Sequence, residues 1–244
     1  MIDLEHITFF YEKKRPLFER FSFSITKGES LAVLGPSGCG KTTFLYLIAG
    51  LLSPQEGKIK VEDQELRGPR EKTALILQEY GLLPWKTIKE NVELGLKFRR
   101  VSKDSLSDHW LKKLGISDVK DKYPHQVSGG QKQRAAIARS LVLKPDLILM
   151  DEPFSSLDAP TRENLQKLIV DLHKDENLTI VLVTHTIEEA VYVGQRILVL
   201  LDPPHVEPLV IENEKKTIDR YDKNFISLCS ELRSYIEKLW NRKV

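Results

Sequence analysis

The chain has 244 residues, 41% of them hydrophobic, and a formal net charge of +2. That length is enough for one α/β domain carrying an inserted subdomain, and the near-balanced charge gives no reason to expect nucleic acid as a partner. No run reaches the roughly 18 apolar residues of a membrane-spanning helix, the start Met1-Ile2-Asp3-Leu4-Glu5-His6 lacks the regions of a signal peptide, and two cysteines do not make a disulfide framework.

Residues 1–30 and 57–66 alternate apolar and polar, which predicts antiparallel strands. Ser30–Leu34 is a short apolar strand, and 43–50 reads as the start of a helix. Between them lies Gly35-Pro36-Ser37-Gly38-Cys39-Gly40-Lys41-Thr42, a full match to the phosphate-binding P-loop. Its glycines let backbone N–H groups turn inward around a polyphosphate, Lys41 reaches the β- and γ-phosphates, and the Thr42 hydroxyl faces Mg²⁺. The strand–loop–helix order sets the phosphates at a helix N-terminus, where unpaired N–H groups and the helix dipole favour anions. Cys39 reads first as a small residue of this loop; the alternative is that those N–H dipoles and Lys41 lower its pKa, which predicts thiol-reagent sensitivity protected by ATP.

An apolar run at 73–77 ends in Gln78. The stretch that follows, with Leu82, Leu83 and Trp85, predicts an exposed apolar patch of the kind that marks an interface. Helices are expected at 88–99, 105–115 and 129–143. The last opens on Ser128-Gly129-Gly130-Gln131, with Ser128 as N-cap and two glycines permitting close approach. This is a second anion-binding helix start, and it needs either another ligand or the same ligand from another subunit. Asp146–Met150 reads as a buried strand ending in Asp151-Glu152-Pro153. At the carboxyl end of a parallel strand Asp151 can hold Mg²⁺, and Glu152, pointing differently, can serve as general base toward a water. Strands are also expected at 179–184, ending before His185, and at 196–201. In the tail, Phe225, Leu228, Cys229, Leu232, Ile236, Leu239 and Trp240 recur at helical spacing, an amphipathic helix expected to dock on the chain's own core, with a dimer or regulatory contact as the alternative.

Over about residues 1–212 the chain resembles the ATP-binding subunits of ABC transporters, with every expected motif in order. The resemblance implies an α/β fold: a P-loop NTPase core with a mainly parallel sheet, N-terminal antiparallel strands and an inserted helical subdomain. The implied division is a core of 1–85 and 145–212, a helical signature subdomain of 86–144 and a tail of 213–244. It also implies ATP and Mg²⁺ as ligands. Tyr11 matches the aromatic that stacks on adenine. Residues 35–43, through Thr43, match the phosphate site, and Gln78 matches the glutamine that senses Mg²⁺ and the γ-phosphate. Ser128 to Gln131 match the signature that closes over ATP held by another subunit, although Val127 stands where leucine is usual. Ser155-Ser156-Leu157-Asp158 match the loop that crosses the dimer interface, and His185 matches the switch histidine.

The implied catalytic set is therefore Lys41, Glu152 and His185, with Thr42, Gln78 and Asp151 at the metal. The implied partners are a second copy or a similar ATPase, membrane permease subunits received at residues 78–85, and, indirectly, a periplasmic or extracellular solute-binding protein. The implied location is the cytoplasmic face of the membrane. Leu-Pro-Trp at 83–85 and the segment 188–200 look like importers of nitrate, taurine, alkanesulfonates and thiamine-precursor pyrimidines. An exporter ATPase and a soluble ATPase without a channel are the alternatives.

Overall fold

A computed structural model describes residues 1–12, 15–99, 104–213 and 219–241. Two sheets make up its framework. The first is antiparallel, in the order β2 (Arg15–Ile25), β1 (Ile2–Glu12), β4 (Glu56–Val61), β5 (Gln64–Glu65). The second has six strands, in the order β10 (Leu209–Glu212), β9 (Arg196–Val199), β3 (Ser30–Leu34), β8 (Thr179–Thr184), β7 (Leu147–Asp151), β6 (Thr73–Ile76). Its neighbours pair in parallel except at the β10 edge.

The central strands are apolar along their whole length because the second sheet is covered on both sides. Side chains alternate between its faces. Leu31, Val33, Leu147, Leu149, Val181, Val183 and Leu198 join one core cluster with the antiparallel sheet and α1 (Lys41–Ile48). Ala32, Leu34, Ile148, Met150, Ile180, Leu182, Ile197 and Val199 join the other, with the remaining helices. The catalytic loops therefore leave a sheet clamped between two packed layers.

The chain from β6 to β7 is helical: α2 (Ile88–Val92), α3 (Leu94–Arg99), α4 (Asp104–Lys113) and α5 (Gly129–Leu141). The single helix expected over 88–99 is two segments meeting at Glu93. Helical hydrogen bonds still run through it, from Glu93 N to Lys89 O (3.0 Å) and from Lys97 N to Glu93 O (3.0 Å). Thr87 starts α2 with a reciprocal capping box to Glu90. The helix expected to reach 143 stops at Leu141, because Pro145 disfavours helical backbone at Lys144, which takes the left-handed conformation (φ 51°).

After β7 come α6 (Ala159–Glu176), capped by Asp158, and α7 (Ile187–Val193). The strand expected to run to 201 ends at Val199, and β10, which no pattern in the sequence marks, pairs antiparallel with it. The tail helix α8 (Lys223–Asn241) buries Phe225, Cys229 and Leu232 in the same cluster as α7. The expected Leu239 and Trp240 side chains lie outside the described ones. Arg220 stacks over Tyr192 (4.4 Å) and hydrogen-bonds Gln166, while Arg233 pairs with Glu188 (2.7 Å). Among the described residues no helix is long and apolar enough to cross a membrane.

Candidate functional site

The loop after β3 wraps the start of α1 and opens a cleft of about 360 Å³, lined by Tyr11, Leu17, Ser37, Gly38, Gly40, Lys41, Thr42, Thr43 and Glu152. Gly40 is the N-cap of α1 with φ 107°, and no side chain caps the helix. Only glycine takes that conformation readily, and a Cβ here would also lie 2.9 Å from Leu17. The first amides of α1 are thus left to an incoming anion.

Lys41 is buried to 5% exposure, and its ammonium donates to the carbonyls of Gly35 (2.9 Å) and Pro36 (2.8 Å). It also lies 3.8 Å from the Glu152 carboxylate. On the other side of Glu152, His185 Nδ1 is 3.2 Å from Oε2, so the imidazole carries its proton on Nδ1 when it donates there. Glu152 has φ 44°, a left-handed conformation that costs a non-glycine residue on the order of 1 kcal/mol. That turn separates its side chain from the direction of Asp151.

Asp151 ends β7, nearly buried, and hydrogen-bonds the Thr42 side chain. Burial raises its pKa above the ordinary carboxylate value, against the lowering pull of Thr42. A carboxylate beside a hydroxyl, desolvated and held at the mouth of a phosphate cleft, is the donor set of a small hard cation that takes its remaining ligands from phosphate and water.

Tyr11 keeps an exposed ring face at the cleft, edge-on to Phe9 (5.0 Å), with its hydroxyl 3.1 Å from Thr43 Oγ1. Gln78 is not among the lining residues. Its amide donates to Ser155 Oγ (3.3 Å), and Ser155 donates to the Glu152 carbonyl (3.0 Å), so it stands one residue removed from the acid. Ser128, Gly129, Gly130 and Gln131 do not line the cleft either. Ser128 accepts from Gln131 N (3.3 Å), and Gln131 accepts from Ser128 N (3.0 Å). Gly130 fits against α6, where a Cβ would lie 2.4 Å from Thr161.

Two expectations need correction. Cys39 is 3% exposed, and burial pushes its thiol above the usual range, outweighing Lys41 and the loop amides. The expected activation fails because the side chain points into the core instead of the cleft. The expected apolar patch is also narrower: Leu82 packs partly into the core and Leu83 is half-buried, whereas Trp85 is 70% exposed.

Phe98, which no motif marks, is 81% exposed beside a groove of about 290 Å³ formed with β6 and Arg139. Arg139 in turn binds the carbonyls of Tyr80 (2.7 Å) and Gly81 (2.5 Å). Leu17 is likewise silent in the sequence, because a leucine in a cleft wall carries no chemical signal. A further link runs behind the site. Arg162 donates to the Leu157 carbonyl (2.8 Å) and lies 3.9 Å from Glu189, whose carboxylate accepts a hydrogen bond from Thr184, next to His185.

A P-loop, a histidine at the end of the neighbouring strand and an acid pair at the end of the next define a nucleotide-hydrolysing cleft of the P-loop class. The family model described as "ABC transporter" matches residues 18–155. The taurine import ATP-binding protein TauB of Escherichia coli O157:H7 is 41% identical over 83% of this chain and 80% of its own. An uncharacterized ABC transporter ATP-binding protein of Methanocaldococcus jannaschii is 37% identical over 97% and 91%. Among solved structures, the ATP-binding cassette MJ0796, as a dimer in a post-hydrolysis state bound to ADP and Pi, superposes with a TM-score of 0.76. It is 30% identical and covers 88% of this chain and 99% of that one. The chain belongs to the ATP-binding subunits of the ABC transporters and is an ATPase.

Proposed function

We propose that two copies close head to tail around two ATP molecules and that the cycle of closure and opening drives import of a small solute through separate membrane subunits. The observation that carries the catalytic part is Glu152 held between Lys41 and His185 at the rim of the cleft. Lys41, the amides at the start of α1 and the opposing Ser128-to-Gln131 helix start neutralise the γ-phosphate. Glu152 takes a proton from, or orients, the attacking water, and His185 holds Glu152 and the phosphate in register. This is positioning and electrostatics more than covalent chemistry. Thr42 and Asp151 would hold Mg²⁺, with Gln78 answering to it through Ser155; the ion supplies charge neutralisation at the phosphate oxygens. Tyr11 offers its exposed face to adenine.

That the signature residues stand outside their own chain's cleft supports a role across the dimer, as does the dimeric state of MJ0796. For the membrane partner the support is exposed Trp85, with the backbone at Tyr80 and Gly81 tied by Arg139 to the groove beside Phe98. A chain so placed works at the cytoplasmic face of the membrane. The taurine importer relative supports a small organic solute of the taurine kind; the resemblance at residues 83–85 and 188–200 widens the class to a small organic or inorganic anion, or a pyrimidine precursor, delivered by a separate binding protein. The test is growth and uptake of a strain lacking this gene on taurine, alkanesulfonates, nitrate and pyrimidine precursors. A defect on one of them is expected. A defect only in export, or only on sugars or metals, rejects the solute class.

A further inference from the structure

We propose that His205 is a positioning residue for the phosphate loop, aiming the Gly40 amide at the nucleotide's phosphates from beneath. The inference rests on the reading of residues 35–42 as the phosphate site. His205 is 7% exposed, and its Nε2 lies 2.7 Å from the carbonyl oxygen of Cys39. A carbonyl only accepts, so Nε2 carries the proton. The Cys39–Gly40 peptide is trans, because the one cis bond among the described residues is at Pro203–Pro204. In a trans peptide the C=O and the N–H point in opposite directions. Holding the Cys39 oxygen down toward His205 therefore turns the Gly40 N–H up, on the side where Gly40 lines the cleft.

Gly40 needs such an external hold. With φ 107° and no Cβ, its own backbone preference does not fix the peptide before it. His205 is itself fixed. Its N–H donates to the Leu17 carbonyl (2.9 Å), its carbonyl accepts from Glu19 N (2.9 Å), and its ring packs on Phe18 (5.3 Å). Leu17, tied to His205 through the backbone, also touches Gly40 from the cleft wall. One histidine thus joins the β2 wall of the cleft to the floor of the phosphate loop.

The test compares His205→Leu, which keeps packing but loses the donor, with His205→Gln, whose amide nitrogen replaces Nε2. The readouts are ATP and ADP affinity measured with a fluorescent nucleotide analogue, steady-state kcat and KM, and the melting temperature. The expected result for His205→Leu is about five- to tenfold weaker ATP and ADP binding, the loss of one hydrogen bond. KM should rise with it, while kcat at saturating ATP stays within about twofold. His205→Gln should bind as the natural chain does. If His205→Leu yields no folded protein, His205→Asn, too short to reach the Cys39 carbonyl, takes its place with the same expected loss. Unchanged affinity in the donor-less variant overturns the proposal, as does a loss that His205→Gln fails to restore. Failure of the natural chain itself to bind ATP would reject the phosphate-loop reading instead.

Discussion

The chain carries two glycine-rich helix starts, and they are built in opposite ways. At α1 the N-cap is a left-handed glycine, no side chain caps the helix, and the amides face a cleft lined by a lysine and the Glu152 carboxylate. At α5 the serine and glutamine of the first turn satisfy each other in a capping box. The first is a site waiting for a ligand with strong charge. The second is a self-satisfied surface that offers the Ser128 hydroxyl and Gly129 at a fixed angle, with Gly130 packed against α6. A capping box contributes about 1 kcal/mol to holding its helix start, so the α5 start keeps its shape with no ligand present. This division suits a site assembled from two chains: one half binds and the other arrives preformed.

The sharpest attack on the comparison is chemical. Glu152→Gln keeps size but removes the base, and ATP turnover is expected to fall by at least about 100-fold, with ATP-bound dimers accumulating in size-exclusion chromatography. Turnover at the natural rate would remove Glu152 from the mechanism. Lys41→Ala should instead weaken nucleotide binding.

The next attack separates the two helix starts. A Ser128→Arg chain mixed with a Lys41→Ala chain gives a heterodimer with one intact composite site. ATP-dependent dimerisation should return in the mixture and be lost in each variant alone. Two fully dimer-competent variants would show that the α5 start works within its own chain or not at all.

A smaller effect tests the acid beside Thr42. Because burial raises the folded-state pKa of Asp151, its charged form opposes folding; the penalty is fully present above that raised pKa, fades as pH falls from it toward the unfolded value, and is gone below the unfolded value. At pH 7 Asp151→Asn should therefore leave the melting temperature of the nucleotide-free chain equal or higher, by up to a few degrees, while weakening Mg²⁺-dependent ATP binding. A large drop in melting temperature would mean that Asp151 is there for structure.

Two predictions lie at the mild end. Trp85→Ala should spare the ATPase of the isolated chain and reduce transport by the assembled system; equal losses would place the indole in the fold instead of at a partner. Iodoacetamide at pH 8 should leave both thiols of the folded chain largely unmodified, since burial raises Cys39 and pushes Cys229 up to about 11; rapid ATP-sensitive labelling of Cys39 would refute this.

Much of the cleft was legible because its chemistry is local in the chain. Residues 35–43 and 151–152 are contiguous, and the strand preceding each is apolar enough to be read as buried. His185 was legible for the same reason, at the end of 179–184. What the sequence could not give is direction. Nothing in the order of residues 35–42 says that Cys39 turns into the core while Gly40 faces out, and this is why its reactivity was misjudged. Nor could residues 82–85 reveal that Leu82 folds back on the core and leaves Trp85 outside. His205, Arg162 and Glu189 were silent for another reason: their partners are a backbone carbonyl or a residue far along the chain, and such pairings leave no periodicity or spacing to read. The same holds for β10, short and lying at a sheet edge, recognisable only by the strand it joins.

The Arg162 link has a consequence for timing. It joins the Leu157 carbonyl, in the segment between the acid pair and α6, to Glu189 and so to the residue next to His185. Coupling of this sort is reciprocal: whatever free energy one end imposes on the other is returned in equal measure. If the proposed partner subunit docks on residues 155–158, pressing there would bias the histidine, and a phosphate that fixed the histidine would bias the surface shown to the partner. Docking and phosphate binding would then be two readings of one equilibrium, with no separate messenger needed between them.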